Sequence, residues 1–309
     1  MPLSISIITP SYNQGRFLER TIRSVLEQRE TAGPFEYLVM DGGSRDESIG
    51  ILERYGAELA WVSEKDRGQA DAVNKGLARA RGEIIGWLNS DDIFYPGAVA
   101  AAAGFLARRP DVDVVYGNGN HIDEQDRVIE PYPTEDWDFE RLKERCFLCQ
   151  PAVFFRRRMV ERFGPLGVRW HYALDYEYWL RLGKSGARFA RIGALLAGSR
   201  LHAETKTLGS RVKVHAEVND MLRSLFGRVP DRWLSNYAHA VLDDRGVPRR
   251  SARFLLEVAA LTWWSALRWN HRISPGMLRL GIEWMGTGLR EGVYSPRSRG
   301  GRGENAEKI

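Results

Sequence analysis

Hydrophobic and polar positions follow a repeating pattern over the first 120 residues of the chain. Short apolar runs rich in Ile, Val and Leu end at glycine, proline or small polar residues, which is typical of buried strands. Between these runs, apolar residues recur at intervals of three and four, the spacing of one helix face. The pattern predicts strands over residues 3–9, 35–40, 59–63, 83–88 and 112–116, and helices over residues 18–26, 47–55, 70–80 and 96–108.

This alternation of strands and helices predicts an α/β fold with a mainly parallel sheet and helices on both faces. Pro10 is expected to end the first strand. Sheets of this kind bind ligands beyond the carboxyl ends of their strands. Polar or aromatic residues occupy those positions after three of the predicted strands, namely Tyr12, Asp41, Asp91 and Asp92. No Gly-x-Gly-x-x-Gly follows the first strand, and no complete Gly-x-x-x-x-Gly-Lys-Ser/Thr phosphate-binding loop occurs, which disfavours a dinucleotide oxidoreductase or a P-loop enzyme.

The pattern weakens after residue 120 and then recovers. A strand is predicted over residues 150–155 and a helix over residues 175–182, and from residue 210 onward only helices are predicted. We therefore divide the chain into an α/β domain, residues 1–208, and a helical region, residues 209–296. The glycine-rich, charged residues 297–309 are expected to be a disordered tail.

Composition supports a folded protein. The 309 residues are 43% hydrophobic and 28% charged, which excludes a fully disordered or fibrous chain. The uncharged apolar stretches, among them residues 258–267, are all shorter than the roughly 20 residues of a membrane span, and no signal-peptide pattern opens the sequence. The two cysteines, Cys146 and Cys149, have no second pair to complete a zinc site, so a reducing cytoplasm is expected.

The net charge of +5 is unevenly distributed. Residues 200–309 contain 19 Lys and Arg against 11 Asp and Glu, a net charge of +8, whereas residues 1–199 contain 26 against 29, a net charge of −3. A basic excess can serve an anionic partner or simply solubility. No nucleic-acid-binding module is recognisable, so we expect no nucleic-acid partner.

Two adjacent carboxylates, Asp91 and Asp92, form the sharpest chemical signal. Mg²⁺ and Mn²⁺ prefer oxygen ligands and are often held by one or two carboxylates together with substrate phosphates. Taken alone, the pair could equally form an Asx turn or cap the following helix. Asp41 and Tyr12 also have two interpretations. Asp41 could be a turn residue and Tyr12 an aromatic residue at the rim, or both could hold a nucleobase. Their common place at the strand ends of one sheet favours the binding interpretation.

Five segments together resemble the inverting glycosyltransferases of family 2, which have the GT-A fold. The likeness extends over roughly residues 3–205 and does not include the C-terminal hundred residues. The matching segments are Ser6-Ile-Ile-Thr-Pro-Ser-Tyr-Asn13, Asp41-Gly-Gly-Ser-Arg-Asp46, Asp66-Arg-Gly-Gln-Ala-Asp-Ala-Val-Asn-Lys-Gly76, Trp87-Leu-Asn-Ser-Asp-Asp92 and Leu174-Asp-Tyr-Glu-Tyr-Trp-Leu-Arg-Leu182.

The resemblance implies that the first domain binds a nucleotide sugar and transfers the sugar, with inversion, to an acceptor hydroxyl. It implies that Asp92 binds Mg²⁺ or Mn²⁺ and that Asp91 contacts the ribose and lies at the metal. Many relatives carry a further Asp where this chain has Asn89. The remaining donor-side residues that the resemblance implies are Pro10, Tyr12, Asp41, Gly68, Gln69 and Lys75.

An inverting transfer needs a base on the acceptor side. The resemblance places that base at Asp175, and Glu177 is the substitute. Because residues two apart do not share a helix face, we expect one of them to point into the cleft. A carboxylate favoured by the helix dipole is the structural alternative for Asp175.

Other polar residues near these segments are weaker candidates. Relatives place a histidine near the metal or diphosphate at the position of His202, although a histidine in a polar loop is often merely solvated. Gln150 and Pro151 resemble the acceptor-side segment. Cys149, a thiol without a base partner, is expected to pack rather than react.

The predicted helix over residues 253–269 is rich in tryptophan, leucine and arginine. Three roles remain open for the C-terminal helices: peripheral membrane contact, a homodimer interface, and packing on the catalytic domain. Packing is preferred to membrane contact, because apolar positions nearly encircle the predicted helix instead of forming one stripe. The expected protein is a cytoplasmic enzyme of the hexosyltransferase type. If its C-terminal helices contact the membrane, it is expected to lie at the inner face of the cell membrane.

Its expected donor is a UDP-, dTDP- or GDP-linked sugar and its acceptor a saccharide or lipid-linked glycan. By analogy, its expected setting is bacterial polysaccharide or glycolipid synthesis. The alternatives are a non-catalytic protein that binds a nucleotide sugar or glycan, and a nucleotidyltransferase.

Overall fold

The computed structural model describes residues 3–203, 205 and 209–293, and the predicted disordered tail lies outside them. The chain forms two compact units, one extending to Phe226 and the other beginning at Gly227. The first unit therefore includes residues 209–226, which the sequence analysis placed in the helical C-terminal region.

Nine strands form one sheet in the described residues. The strands are β1 Ile5–Ser11, β2 Glu36–Asp41, β3 Ala60–Ser63, β4 Ile84–Trp87, β5 Ile93–Phe94, β6 Val114–Ile122, β7 Val128–Pro131, β8 Val153–Arg156 and β9 Phe189–Arg200.

Twelve α-helices occur in the described residues, nine of them in the first unit. These helices are α1 Gly15–Leu26, α2 Arg29–Ala32, α3 Ser48–Arg54, α4 Gln69–Arg79, α5 Ala98–Arg108, α6 Phe139–Glu144, α7 Arg158–Phe163, α8 Leu174–Lys184, α9 Arg211–Phe226, α10 Asp231–Asp244, α11 Ala252–Asn270 and α12 Pro275–Val293.

The sheet has the strand order β3-β2-β1-β4-β8-β6-β9-β5, with β7 beside β6. Strands β1 to β4 pair in parallel, and so do β6 and β9. Strand β8 joins the two parallel parts by antiparallel pairing with both β4 and β6. The predicted fold class is confirmed: a mainly parallel sheet with flanking helices and a helical C-terminal part.

The core lies between the central strands of the sheet and the helices that pack against them. All seven residues of β1 are buried. A Cβ atom added to Gly86 of β4 would lie 2.7 Å from Ile7 Cδ1 and 2.8 Å from Phe154 Cε1. The tight packing of β1, β4 and β8 therefore requires a residue without a side chain at this position.

Most predicted elements match observed ones, but several details were wrong. Strand β1 continues through Pro10, which is paired in register with Met40 of β2. Residues Gln150–Ala152 form a 3₁₀ turn, and only the rest of that predicted strand is extended. Strand β6 extends well beyond residue 116. Strands β5, β7 and β9 were not predicted, because they are short or lack alternation of apolar and polar residues.

The C-terminal unit consists of helices α10, α11 and α12. Its core includes residues from α10, α11 and the connection between them: Ala238, Leu242, Val247, Phe254 and Val258. The side chain of Ser251 accepts a hydrogen bond from the Phe254 N–H at 3.1 Å and so caps helix α11. None of the helices in the described ranges combines the length and hydrophobicity needed to cross a lipid bilayer.

Candidate active site

A cavity of about 500 Å³ opens at the carboxyl ends of the central strands of the first unit. Nine of the thirteen predicted site residues line it, whereas Asp41, Lys75, Glu177 and His202 do not. The nine are Pro10, Tyr12, Gly68, Gln69, Asp91, Asp92, Gln150, Pro151 and Asp175.

Asp92 lies in the turn between β4 and β5 and is only 4% exposed. One of its carboxylate oxygens accepts a hydrogen bond from the Arg200 N–H at 2.8 Å, and the other accepts one from the Asn89 side chain at 3.2 Å. Burial, and after it the negative charge of Asp91, raises the pKa of Asp92 well above its usual range. A cation beside these two carboxylates would offset both effects.

His202 is buried and bonded to the aspartate pair. Its Nε2 lies 3.0 Å from Asp91 Oδ2, and its Nδ1 lies 3.0 Å from the guanidinium of Arg16. A guanidinium can only donate, so Nδ1 accepts and Nε2 carries the proton that is donated to Asp91. In this arrangement His202 orients Asp91, while its predicted role at the metal stays a prediction.

Arg200, which sequence analysis missed, fixes the aspartate turn from the end of β9. Its side chain is 1% exposed and pairs with Asp126 at 2.5 Å. The same guanidinium donates to the backbone oxygens of Asp91 and Asp123, each at 2.6 Å. No local motif identifies Arg200, because its partners lie between 74 and 109 residues away in the chain.

Asn89 connects the two sides of the cavity. Its carbonyl oxygen accepts hydrogen bonds from Gln69 at 2.7 Å and from the Trp87 indole at 2.9 Å. Its amide group donates to Asp92 at 3.2 Å and to Gln150 at 2.8 Å. An aspartate here would place a third negative charge beside Asp91 and the buried Asp92, whereas the amide donates a hydrogen bond to Asp92.

The remaining residues that were predicted for the donor side fall into two groups. Tyr12 is 60% exposed at the rim of the cavity, and a Cβ atom at Gly42 would come within 2.6 Å of Asp66 and 3.3 Å of Tyr12. Asp41 is buried behind this rim, where its carboxylate accepts the backbone N–H of Gly43 at 3.0 Å and that of Ser44 at 2.9 Å. Asp41 thus shapes the turn that follows β2.

Helix α4 brings a second donor-side group to the cavity. It begins after Gly68, whose φ of 110° favours glycine, so Gln69 faces the cavity from the first turn of the helix. Lys75 lies outside the lining, six residues further along the helix. Its ammonium pairs with Glu64 at 2.9 Å and donates to the Lys65 carbonyl at 3.2 Å.

The cavity lining also includes aromatic and imidazole side chains that sequence analysis did not select. They include His121, Tyr132, His171 and Tyr172. The rings of His121 and Tyr132 lie 5.2 Å apart, and burial lowers the pKa of His121. The low number of histidines could have drawn attention to His121 and His171. The chain has only six histidines, and these two line the cavity.

Helix α8 separates its two acidic residues. Asp175 lines the cavity, whereas Glu177 is 5% exposed and pairs with Arg181 at 2.8 Å. Arg181 also donates to the Pro165 carbonyl at 2.8 Å. Glu177 is therefore part of a structural ion pair, and Asp175 is the acidic residue that this helix contributes to the cavity lining.

The two cysteines are packed rather than activated. Cys149 is fully buried beside Gly119, where an added Cβ atom would lie 2.5 Å from its sulfur. Burial raises the pKa of the Cys146 and Cys149 thiols well above their usual range. Thiols that stay protonated are poor nucleophiles.

The side chains fit a cation that is shared with a ligand. No group of three or more His, Cys, Asp or Glu side chains in the described part of the chain is arranged to hold a metal by itself. Asp91 and Asp92 provide adjacent carboxylates at the cavity, a donor set that suits Mg²⁺ or Mn²⁺ when substrate phosphates complete the coordination.

A curled, mainly parallel sheet with this cavity beyond its strand ends defines the GT-A class of glycosyltransferases. The chain belongs to Glycosyl transferase family 2, whose sequence model matches residues 6–164.

Two bacterial relatives share substantial sequence identity. An uncharacterized glycosyltransferase of Mycobacterium tuberculosis is 35% identical over 181 residues, which cover 58% of this chain and 68% of the relative. A PGL/p-HBAD biosynthesis glycosyltransferase of Mycobacterium bovis is 30% identical over 195 residues, covering 60% of this chain and 72% of the relative.

Two solved structures share the fold at low sequence identity. TarS 1–349 of S. aureus in complex with UDP has a TM-score of 0.56 and 15% identity, with 94% of this chain and 92% of that chain covered. The mannosyltransferase PcManGT of Pyrobaculum calidifontis, in complex with GDP-Man and Mn²⁺, has a TM-score of 0.59 and 19% identity, with 96% and 82% covered.

Proposed function

We propose that this glycosyltransferase is a metal-dependent, inverting enzyme of the hexosyltransferase type. It moves a sugar from a nucleotide-sugar donor to an acceptor hydroxyl. The observation that carries the proposal is that one cavity holds the adjacent carboxylates of Asp91 and the buried Asp92 together with a separate carboxylate, Asp175.

The donor half of the cavity is suited to a nucleotide diphosphate. The exposed ring of Tyr12 offers a face for the base, and Gln69 lies close to the aspartate turn through their shared partner Asn89. Asp91 and Asp92 would hold Mg²⁺ or Mn²⁺, with His202 bonded to Asp91. When bound, such a cation stabilises the negative charge that develops on a departing diphosphate.

The acceptor half supplies the proton chemistry. Asp175 takes the proton of the acceptor hydroxyl as that oxygen attacks the anomeric carbon. A base that acts on the acceptor, with no protein nucleophile in between, gives a single displacement and therefore inversion. The surrounding rings of Tyr132 and Tyr172 can pack against a sugar and exclude water from the reacting bond.

We propose a UDP-, dTDP- or GDP-linked donor and a saccharide or lipid-linked acceptor. The complexes of TarS with UDP and of PcManGT with GDP-Man support a nucleotide-linked donor. The name of the M. bovis relative supports a role in bacterial glycolipid synthesis. Synthesis of a surface polysaccharide would use the same chemistry.

We further propose that the C-terminal unit contacts an anionic lipid surface. Trp264 and Leu267 of α11 are 48% and 51% exposed, and Leu278 and Ile282 of α12 are 44% and 57% exposed. Each pair is spaced to share one helix face. Residues 227–293 contain ten arginines against six acidic residues, which suits anionic headgroups.

Thermal unfolding with a panel of nucleotide sugars, with and without Mn²⁺, tests the proposed enzyme function. A cognate donor should raise the unfolding temperature in a Mn²⁺-dependent way, because a ligand that binds only the folded state stabilises it. Asp92→Asn should lose that increase, and EDTA should abolish sugar transfer by the wild type. Asp113→Asn is the matched control, since Asp113 is 8% exposed, pairs with Arg158 and lies outside the cavity.

Each other outcome would contradict part of the proposal. Sugar transfer that continues in EDTA would contradict the proposed metal dependence but would leave the glycosyltransferase activity in place. Donor binding without transfer to any acceptor would indicate a binding protein. Release of inorganic pyrophosphate from a nucleoside triphosphate and a sugar phosphate would indicate a nucleotidyltransferase.

A further inference from the structure

Helix α8 begins without a capping side chain of its own. Its N-cap residue is Ala173, which has no side-chain hydrogen bond to offer. The first four N–H groups of a helix, and those of the turn that leads into it, need partners from elsewhere. In this protein the partner is Glu217, which lies on helix α9.

The Glu217 carboxylate accepts hydrogen bonds from three successive backbone N–H groups. The N–H of His171 lies 2.9 Å from Oε1 and 3.0 Å from Oε2. The N–H groups of Tyr172 and Ala173 lie 2.6 Å and 2.8 Å from Oε1. Charge-assisted bonds of this kind are stronger than neutral ones, and a negative charge is favoured at a helix N-terminus.

These bonds fix the segment that presents the acceptor wall. His171 and Tyr172 both line the cavity, and Asp175 follows two residues after the last bonded N–H. Helical bonding starts at the same place, since the Glu177 N–H donates to the Ala173 carbonyl at 2.8 Å. A displacement of the turn at residues 171–173 would therefore move Asp175 with it.

Glu217 is not part of the segment that identifies the family. The family model ends at residue 164, so both the helix that carries Asp175 and the residue that anchors it lie beyond it. The anchoring side chain is also 42 residues from Asp175 in the sequence, on a helix that no motif connects with the cavity.

We infer that Glu217 is a positioning residue for the acceptor side, which holds the turn at residues 171–173 and through it the base Asp175. This inference rests on the proposed function. It gives helix α9 a role in transfer, although Glu217 itself does not line the cavity.

Steady-state kinetics of Glu217→Ala and Glu217→Gln test the inference. Misplacement of a reacting group by about 1 Å can cost about 100-fold in rate, so kcat of Glu217→Ala should fall by about that factor while the donor KM stays unchanged. Glu217→Gln keeps one side-chain carbonyl oxygen for the N–H groups and should recover part of kcat. If the alanine variant does not fold, the glutamine variant alone still reports a reduced kcat.

Ser251→Ala is the matched control, because it removes a helix cap in the C-terminal unit. It should lower the unfolding temperature without changing kcat. Wild-type kcat in folded Glu217→Ala, or a parallel loss of donor affinity, would overturn the inference.

Hydrogen–deuterium exchange provides a readout that is independent of activity. Exchange at residues 171–175 should be faster in Glu217→Ala and unchanged in Ser251→Ala. If the wild type transfers no sugar, the proposed function fails, and this measurement still decides the positioning role. Unchanged exchange at residues 171–175 in Glu217→Ala would overturn it.

Discussion

The turn that carries Asp91 and Asp92 is held by side chains from widely separated parts of the chain. Besides Arg200 and Asn89, the buried hydroxyl of Thr21 on helix α1 contributes, 2.9 Å from the Ser90 carbonyl and 2.7 Å from the Asp92 carbonyl. A turn fixed at its backbone presents its carboxylates in one arrangement before any ligand binds. Such preorganisation lowers the cost of binding and of charge stabilisation.

Substitutions at Asp175 and Glu177 distinguish the proposed base from its neighbour. Asp175→Asn removes the proton acceptor and should lower kcat by about 10²- to 10⁴-fold while donor binding persists. Glu177→Gln is the control, because Glu177 pairs with Arg181 away from the cavity. That variant should transfer sugar at close to the wild-type rate and unfold at a lower temperature. An active Asp175→Asn, or a folded but inactive Glu177→Gln, would place the base elsewhere.

Residues within contiguous motifs could be predicted from the sequence, and those that act across the fold could not. Tyr12 and Asp92 follow predicted strands, a position that indicates a ligand site, and Gln69 belongs to a segment that resembles the family. Arg200 and Glu217 act through partners at least 44 residues away. Their roles depend on which strands and helices become neighbours, and one sequence does not reveal those pairings.

Helix α4 shows how tightly one element must pack to place a site residue. A Cβ atom at Gly76 would lie 2.5 Å from Ile8 Cγ2 on β1 and 3.3 Å from Met40 on β2. The helix therefore rests directly on the two strands. This contact determines the direction in which the helix presents Gln69 to the cavity.

Alanine substitution at two helical glycines should change stability in opposite directions. Gly76→Ala should lower the free energy of unfolding by about 1 to 3 kcal/mol, since the added methyl group has no room. Gly50→Ala in helix α3 should raise it by about 0.5 to 1 kcal/mol, because nothing lies within 4 Å of the new atom. Urea denaturation of both variants measures these changes. A destabilised Gly50→Ala together with a neutral Gly76→Ala would contradict this account of the packing.

Elements with a strong local pattern could be predicted, and those that depend on distant pairing could not. Helices α1 and α4 and strands β1 to β4 have a clear local pattern, although the predicted ends of β1 and α1 were off by one or more residues. Strand β9 contains three Ala and two Gly residues and has no alternation of apolar and polar positions. Its extended form follows from parallel pairing with β6, from which it is separated by more than 60 residues.

At the scale of the whole molecule, the exposed apolar residues of the C-terminal helices require an explanation. Single exposed apolar side chains are ordinary, but Trp264, Leu267, Leu278 and Ile282 all belong to two neighbouring helices. Arg268 lies over the Trp264 ring at 5.8 Å, so an aromatic ring and a cation lie side by side. That combination is typical of side chains at a lipid headgroup layer.

Flotation with vesicles tests the lipid contact. The protein should float with anionic vesicles at low ionic strength and be released as salt is added, because screening weakens attraction between arginines and headgroups. Trp264→Ser should weaken binding. Ile129→Ser is the control, since Ile129 is 53% exposed on β7 in the other unit. Absence of flotation at low salt would overturn the proposal, and a dimer that Trp264→Ser dissociates would assign this face to a second copy.

Strand β9 also has a consequence for how the enzyme is made. Asp92 accepts a hydrogen bond from the backbone N–H of Arg200, which lies 108 residues further along the chain. During translation the aspartates emerge 108 residues before the strand end that anchors them, so the nascent polypeptide carries the proposed metal site in unassembled form until that strand has been made. A product that terminates before residue 200 lacks this anchor, and the cell thus makes the centre only in chains elongated past that strand.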